Sequence, residues 1–304
     1  MATQNEQKKL DDLNRSPGRL CQEIDGIRTT AAFDKEILRS ALQYKARPDD
    51  IFIVCYPKCG TTWMQDILYL LFNNGQYQCN REERLANEPF LEIHGAQACL
   101  NMKRPNAIKT HLPFDRVPYN SQAKYICLSR NIKDVCVSLY HPIKARPRLQ
   151  FEVDTFDEYF ELFMIGEVPH GDYFDHLFAI WNHRNDPNVI VLLYEQMQQD
   201  IQSTIKKLAQ FLGEKYTKML DAEPQLLDRI AKLSSFTYLE TNNIDVLPFR
   251  GDRRKGKVNG WKEELTPEQS KRLDQLFAEK TKDLPELNKY WSQYTTSIED
   301  EPFH

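Results

Sequence analysis

The sequence predicts an α/β fold: a single domain with a central, mostly parallel sheet flanked by helices, entered through a P-loop-like strand–loop–helix that binds phosphate. Three observations lead there. Strand-like and helix-like segments alternate along the 304 residues with no Gly/Ser-rich or Pro-rich linker. Runs such as YICL at 125–128 and VIVLL at 189–193 are apolar throughout rather than alternating, as expected of strands covered on both faces. The third is the apolar run at 51–55, which passes through Pro57, Lys58 and Gly60 straight into a segment of helical spacing.

In chain order, residues 1–30 are polar, charged and aperiodic, and are expected to be flexible or loosely docked. Residues 34–46 read as a helix. Strands are expected at 51–55, 106–109, 124–129 and 189–193, where β-branched and aromatic residues cluster. Met64, Ile67, Leu68, Leu71 and Phe72 recur at helical spacing and define a helix over 61–73. Asn131, three residues before Asp134, has the pattern of an N-cap and opens a helix over 132–145. Further helices are expected at 155–166, 172–184, 195–212, 223–233 and 267–281. No internal repeat or low-complexity tract interrupts the pattern.

The formal net charge of −4 argues against a general polyanion binder, so nucleic acid is not an expected partner and any anion site must be local. Seven cysteines, an odd number with no CxxC pair, fit reduced thiols better than a disulfide framework. There is no signal-peptide pattern, and no apolar run approaches the roughly 18–20 residues of a membrane span. The expectation is a cytoplasmic protein without a membrane partner. The seven histidines show neither HxH nor HExxH spacing, so no metal is expected.

The segment 56–63, Tyr-Pro-Lys-Cys-Gly-Thr-Thr-Trp, has the makings of an anion cradle. Unpaired amides at a helix N-terminus face an anion and the macrodipole reinforces them. Lys58 adds a mobile cation, Gly60 lets the backbone approach closely, and Thr61 and Thr62 add hydroxyl donors. An ordinary strand-to-helix turn would also hold a lysine, but explains neither the paired threonines nor Trp63. The Walker pattern GxxxxGK[ST] is absent. His111 follows an apolar strand-like step, on the edge where open α/β sheets place ligands. By itself a lone histidine is more often structural. Arg130 and Ser138 could equally be a surface arginine and an inward-facing helical serine. The run Arg253-Arg254-Lys255-Gly256-Lys257 could be a solvated loop.

YPKCGTTW resembles the 5′-phosphosulfate-binding loop of the cytosolic sulfotransferases, which use 3′-phosphoadenosine 5′-phosphosulfate (PAPS) and release 3′-phosphoadenosine 5′-phosphate (PAP). KTHLP at 109–113, LSRNIKDVCVSLYH at 128–141 and RKGKVNGW at 254–261 are similar to further segments of that family in the same order. The resemblance implies transfer of a sulfuryl group to a hydroxyl or amine of a small, mostly apolar acceptor such as a phenol, steroid, catecholamine or alcohol. It implies His111 as general base, Lys109 on a sulfuryl oxygen and Lys58 on the bridging and leaving oxygen. The stretch Lys58, Cys59, Gly60, Thr61 and Thr62 would hold the 5′-phosphate. Arg130 and Ser138 would take the 3′-phosphate, with Ser138 also restraining Lys58. Trp63, Tyr194 and Phe236 match positions around adenine, beside Ser234, and Arg253, Arg254, Lys255 and Gly256 match a lid over the 3′-phosphate. Phe90 and Tyr140 fall with Lys109 and His111 on the acceptor side.

The pattern is not met everywhere. Cys59 stands where many members have serine, and a thiol beside Lys58 and a helix N-terminus is expected to have a lowered pKa and to be open to oxidation. Ile93 and Pro142 replace positions often aromatic in phenol-specific members. The family dimer motif KxxxTVxxxE aligns with Lys262 to Lys271, but Pro267 replaces Val and Lys271 replaces Glu, so a monomer or weak homodimer is expected. The alternatives are a non-catalytic nucleotide- or ligand-binding protein on this scaffold, and a nucleotide kinase-like phosphotransferase.

Overall fold

The computed structural model describes residues 21–77, 80–145, 153–241 and 258–295. A four-stranded parallel sheet is built from β3 (Ile51–Cys55), β4 (Ala107–Thr110), β5 (Lys124–Ser129) and β6 (Val189–Leu193), in the order β4-β3-β5-β6. The pairing sets Val54 beside Thr110, Cys55 beside Leu128 and Ser129 beside Leu193. The carboxyl ends of all four strands therefore share one edge. The chain leaves β3 for β4 on one side and returns across it to β5 on the other, and crevices at such reversals are where open α/β sheets bind ligands.

Both faces of the sheet are covered, as the uniformly apolar strands require. On one face Ile51, Ile53, Ile126 and Leu128 pack with Met64, Ile67 and Leu68 of α2 (Thr61–Phe72) and Val135 of α5 (Ile132–Ala145). On the other, Phe52, Val54, Ile108 and Tyr125 meet Leu38 and Ala41 of α1 (Lys35–Gln43) and Leu91 and Cys99 of α4 (Leu91–Asn101).

The expected strands and most expected helices are present, with ends shifted by a few residues. The expected helix over 195–212 is two, α8 (Tyr194–Gln199) and α9 (Ile201–Leu212). Asp200 leaves helical geometry there and its carboxylate accepts the Ser203 amide as a new N-cap. Within residues 21–30, read from the sequence as aperiodic, β1 (Cys21–Ile24) and β2 (Ile27–Thr30) form a hairpin. Its turn residues Asp25 and Gly26 both have positive φ, as a two-residue turn twisting with its strands requires. The hairpin is tied down by the Arg28–Glu167 ion pair. Also unforeseen are α3 (Arg81–Asn87), α4, α10 (Glu214–Ala222), α12 (Phe236–Thr241) and α14 (Pro285–Thr295). The remaining helices are α6 (Phe156–Met164), α7 (Tyr173–Asn182), α11 (Pro224–Leu233) and α13 (Pro267–Thr281). Among the described residues no helix is long and apolar enough to cross a membrane.

One buried ionic cluster joins α2 to α3. Arg84 lies 2.6 Å from Asp66 and 3.0 Å from Glu88, and its guanidinium sits 4.7 Å from the centre of the Tyr69 ring, all out of solvent. Burial pushes the Glu88 carboxyl up to about 7 in spite of Arg84. Removing one member of such a cluster leaves its partners charged and desolvated. Arg84→Ala should therefore cost roughly 3–5 kcal/mol of stability, read as a drop in the urea midpoint. A loss below about 1 kcal/mol, the scale of an exposed pair, would contradict this account.

Candidate active site

Beyond Cys55 the chain makes its bend through two left-handed residues, Lys58 at φ 73° and Gly60 at φ 103°. At Gly60 a side chain has no room: a Cβ would lie 2.9 Å from Cδ2 of Tyr194. Gly60 is the N-cap of α2, no side chain caps that end, and its first turn carries no acid. The chain's own side chains thus leave the positive end of the helix unneutralised. The Thr61 hydroxyl turns inward, 2.9 Å from the Cys55 thiol, and Thr62 is half-buried beside it. Cys59 corrects an expectation. It is fully buried, and desolvation pushes its thiol well above the usual range, overriding Arg130. The neutral, enclosed thiol is the opposite of a reactive one.

A second group closes over the bend. Arg130 donates through Nη1 to the Lys58 carbonyl at 3.1 Å and lies 4.2 Å from the Tyr194 ring centre. Tyr194 meets Trp63 edge-on at 5.5 Å. Trp63 Nε1 is buried and finds no acceptor among the described residues, a donor that a purine or phosphate oxygen would satisfy. Arg130 is fixed from behind, since the Tyr173 hydroxyl donates to its carbonyl and Glu195 accepts the Asn131 amide. Asp134 on α5 accepts the amides of Asn259 and Trp261, and Ser138 lies buried one turn further on. Arg253, Arg254, Lys255 and Gly256, the expected lid, lie outside the described residues. Ser234 ends α11 with its hydroxyl donating to the Ile230 carbonyl, and Phe236 opens α12, half-buried.

The third group surrounds His111. Its Nδ1 is 2.8 Å from the Cys55 carbonyl. A carbonyl only accepts, so Nδ1 carries the proton and Nε2 keeps its lone pair. Burial, then Lys109 and His170, hold its pKa well below 6.5. Phe90 meets His111 edge-on at 5.1 Å, and Lys109 Nζ lies 4.5 Å from the Phe90 ring centre. Tyr140 packs its ring against Phe156 and Tyr159.

Sequence reading missed Phe33, Glu92, His170, His176 and Glu195. His170 has a left-handed backbone and stands 5.7 Å from His111 and 5.9 Å from Phe33, ring to ring. Its carbonyl accepts from His176 Nε2 at 3.2 Å. Burial lowers His170 to about 3 and His176 to about 4. The turn chemistry of Pro169-His170-Gly171 is visible in the sequence, but its proximity to His111 is not.

A parallel α/β sheet whose inner strand runs through a lysine-bearing bend into an uncapped helix is an architecture for handling phosphate esters. Residues 48–285 match the family described as the sulfotransferase domain. Sulfotransferase 1E1 of Bos taurus is 35% identical over 263 residues, which covers 79% of this chain and 86% of that protein. The amine sulfotransferase of Oryctolagus cuniculus is 34% identical over 271 residues, 83% of this chain and 87% of the relative. Mouse sulfotransferase SULT7A1, solved in complex with PAP, aligns with a TM-score of 0.75 at 30% identity, covering 92% of this chain and all of that one. Retinol dehydratase, at 21% identity and a TM-score of 0.68, shares the fold. The chain belongs to the sulfotransferase family, and the kinase-like alternative falls away.

A group held at about 4 when folded and near 6.5 when unfolded contributes stability above pH 6.5 that is lost as the pH falls towards 4. Over that range the wild type should lose up to about 3 kcal/mol that His176→Gln retains. Urea unfolding of both proteins across the range measures the difference. Parallel pH curves would contradict a buried neutral His176.

Proposed function

We propose that this protein transfers the sulfuryl group of PAPS to a hydroxyl or amine of a small, mostly apolar acceptor by in-line displacement, with His111 as general base, within a single domain. One observation carries the reading. The His111–Cys55 bond leaves Nε2 as the ring's proton acceptor, at the strand edge that also bears the bend. The complex of mouse SULT7A1 with PAP supports the choice of nucleotide, as do the uncapped start of α2 and the unsatisfied Trp63 donor.

In this reading the amides at the start of α2 would hold the 5′-phosphate, and Lys58 would neutralise the leaving oxygen. Arg130, whose planar fork suits a phosphate, would take the 3′-phosphate with Ser138. Trp63 and Tyr194 would stack on adenine, with Phe236 closing the site. The acceptor would enter between Phe90 and His170. Its proton passes to Nε2 as its oxygen attacks sulfur, while Lys109 stabilises the sulfuryl oxygens. Charge handling of this kind supplies most of the catalysis in comparable phosphoryl transfers. Because His111 is desolvated, it stays neutral and able to accept a proton across the physiological range.

A monomer or weak homodimer fits the segment that departs from the dimer motif. Thr266 spends its hydroxyl as the N-cap of α13, in a capping box with Gln269, and Pro267 opens the helix.

The test is transfer of labelled sulfate from PAPS to a simple phenol without added metal, alongside PAP binding by calorimetry. His111→Ala should lower turnover by about 10²–10⁴-fold with PAP affinity nearly unchanged. Arg130→Ala should instead weaken PAP binding by roughly 1.5–3 kcal/mol. A protein that binds PAP without forming product would be the non-catalytic alternative, and swapped phenotypes would overturn the role assignment.

A further inference from the structure

The strand that carries His111 lies at the edge of the sheet, and something other than another strand holds it there. Residues 89–90 begin to extend the sheet beside β4: Phe90 bridges Lys109 in parallel, and the Lys109 amide donates to the Pro89 carbonyl at 2.9 Å. The next amide of that ladder belongs to His111. A continuing strand would offer it a backbone carbonyl, but the chain turns away into α4 at Leu91. The side chain of Glu92 takes over, and Oε1 accepts the His111 amide at 2.5 Å. Glu92 is 3% exposed, and besides the His111 amide its own amide and the Thr110 side chain favour the ionised carboxylate. A buried carboxylate is expensive unless it is hydrogen-bonded. Its bond to the backbone of His111 is the return.

We propose that Glu92 is a positioning residue for the transfer reaction: its carboxylate stands in for a missing strand, fixes the backbone of His111 next to Lys109, and through its charge sets the acid side of the pH–rate profile. The inference rests on the sulfuryl-transfer reading above. Ionised, Glu92 makes a charge-assisted bond to the His111 amide, roughly twice as strong as the neutral one. Protonated, it holds the catalytic strand more weakly and adds an O–H donor to a buried place. Lys109 on β4 faces it and favours the charged form. Cys55 on β3 and Cys99 on α4 lie within its field, both neutral thiols that burial pushes up to about 12. His94, two residues further along α4, accepts the Phe90 amide through Nδ1, and burial and Lys109 lower its pKa. Desolvation of Glu92 outweighs the His111 amide, its own amide, the Thr110 side chain and Lys109, and pushes the carboxyl up to about 7, whereas His111 stays well below 6.5. Glu88 and Glu195 are also pushed up to about 7, but they sit on Arg84 and the Asn131 amide; the carboxyl bonded to the His111 amide is Glu92.

The experiment measures kcat for the full-length protein with PAPS and a simple phenol between about pH 6 and 8, where the phenol stays un-ionised, together with PAP affinity. Wild-type kcat should rise with pH through about 7. Glu92→Gln keeps an oxygen for the His111 amide but cannot ionise. Its profile should be flat across that range, with kcat at pH 8 lowered roughly tenfold and PAP affinity unchanged. Glu92→Asp keeps the charge but shortens the reach, so it should retain a pH-dependent limb at reduced kcat, and it decides the matter if Glu92→Gln does not fold. A Gln variant that keeps the wild-type limb, or an Asp variant with both limb and kcat of the wild type, overturns the assignment of Glu92 alone. A wild-type protein that binds PAP and transfers nothing overturns the reading beneath it.

Discussion

The site depends on one hydrogen bond, from Nδ1 of His111 to the carbonyl of Cys55. Cys55 is the last residue of β3 and the next five residues are the phosphate bend, while His111 is the first residue past β4. The bond therefore ties the exits of two neighbouring parallel strands, and with them the two halves of the proposed reaction. It also decides the chemistry of the ring, because a carbonyl partner on Nδ1 leaves Nε2 as the acceptor. A distance set by two paired strands and one such bond does not wait on a loop to close.

Around that bond the protein keeps charge scarce and placed. His111, His170 and His176 are all held neutral by burial. The cations near them are committed as well: Arg130 to the Lys58 carbonyl and the face of Tyr194, Lys109 to the face of Phe90. In the proposed reaction an anion at the start of α2 would meet positive ends already oriented, in surroundings where they are screened less than in water. The same desolvation pushes the Cys59 thiol up, although it is flanked by a lysine and a helix terminus that would activate an exposed thiol.

Much of this was legible in the sequence, and the exceptions have a common cause. The apolar runs at 51–55, 124–129 and 189–193 carry their structure locally, and the bend announces itself through Lys58, Gly60 and the paired threonines. The hairpin at 21–30 was missed although Asp25-Gly26 is the turn pair that marks one, because its four-residue strands are too polar to show a period. The split at Asp200 was missed because an acid capping the second helix looks like any acid on a helical face. Phe33, Glu92 and His170 reach the site from the N-terminal region, α4 and the turn before α7, and no sequence spacing links them to His111. The thiol of Cys59 was misjudged for a related reason: its charged neighbours are adjacent in sequence, whereas the burial that outweighs them is a property of the fold.

The central claim is that His111 is a neutral, directionally anchored base. The most direct measurement is the ¹⁵N NMR spectrum of its imidazole in the folded protein. The account predicts a neutral ring at pH 7 with the proton on Nδ1 and no titration until well below pH 6.5. A ring that carries its proton on Nε2, or that is already charged at pH 7, would contradict it.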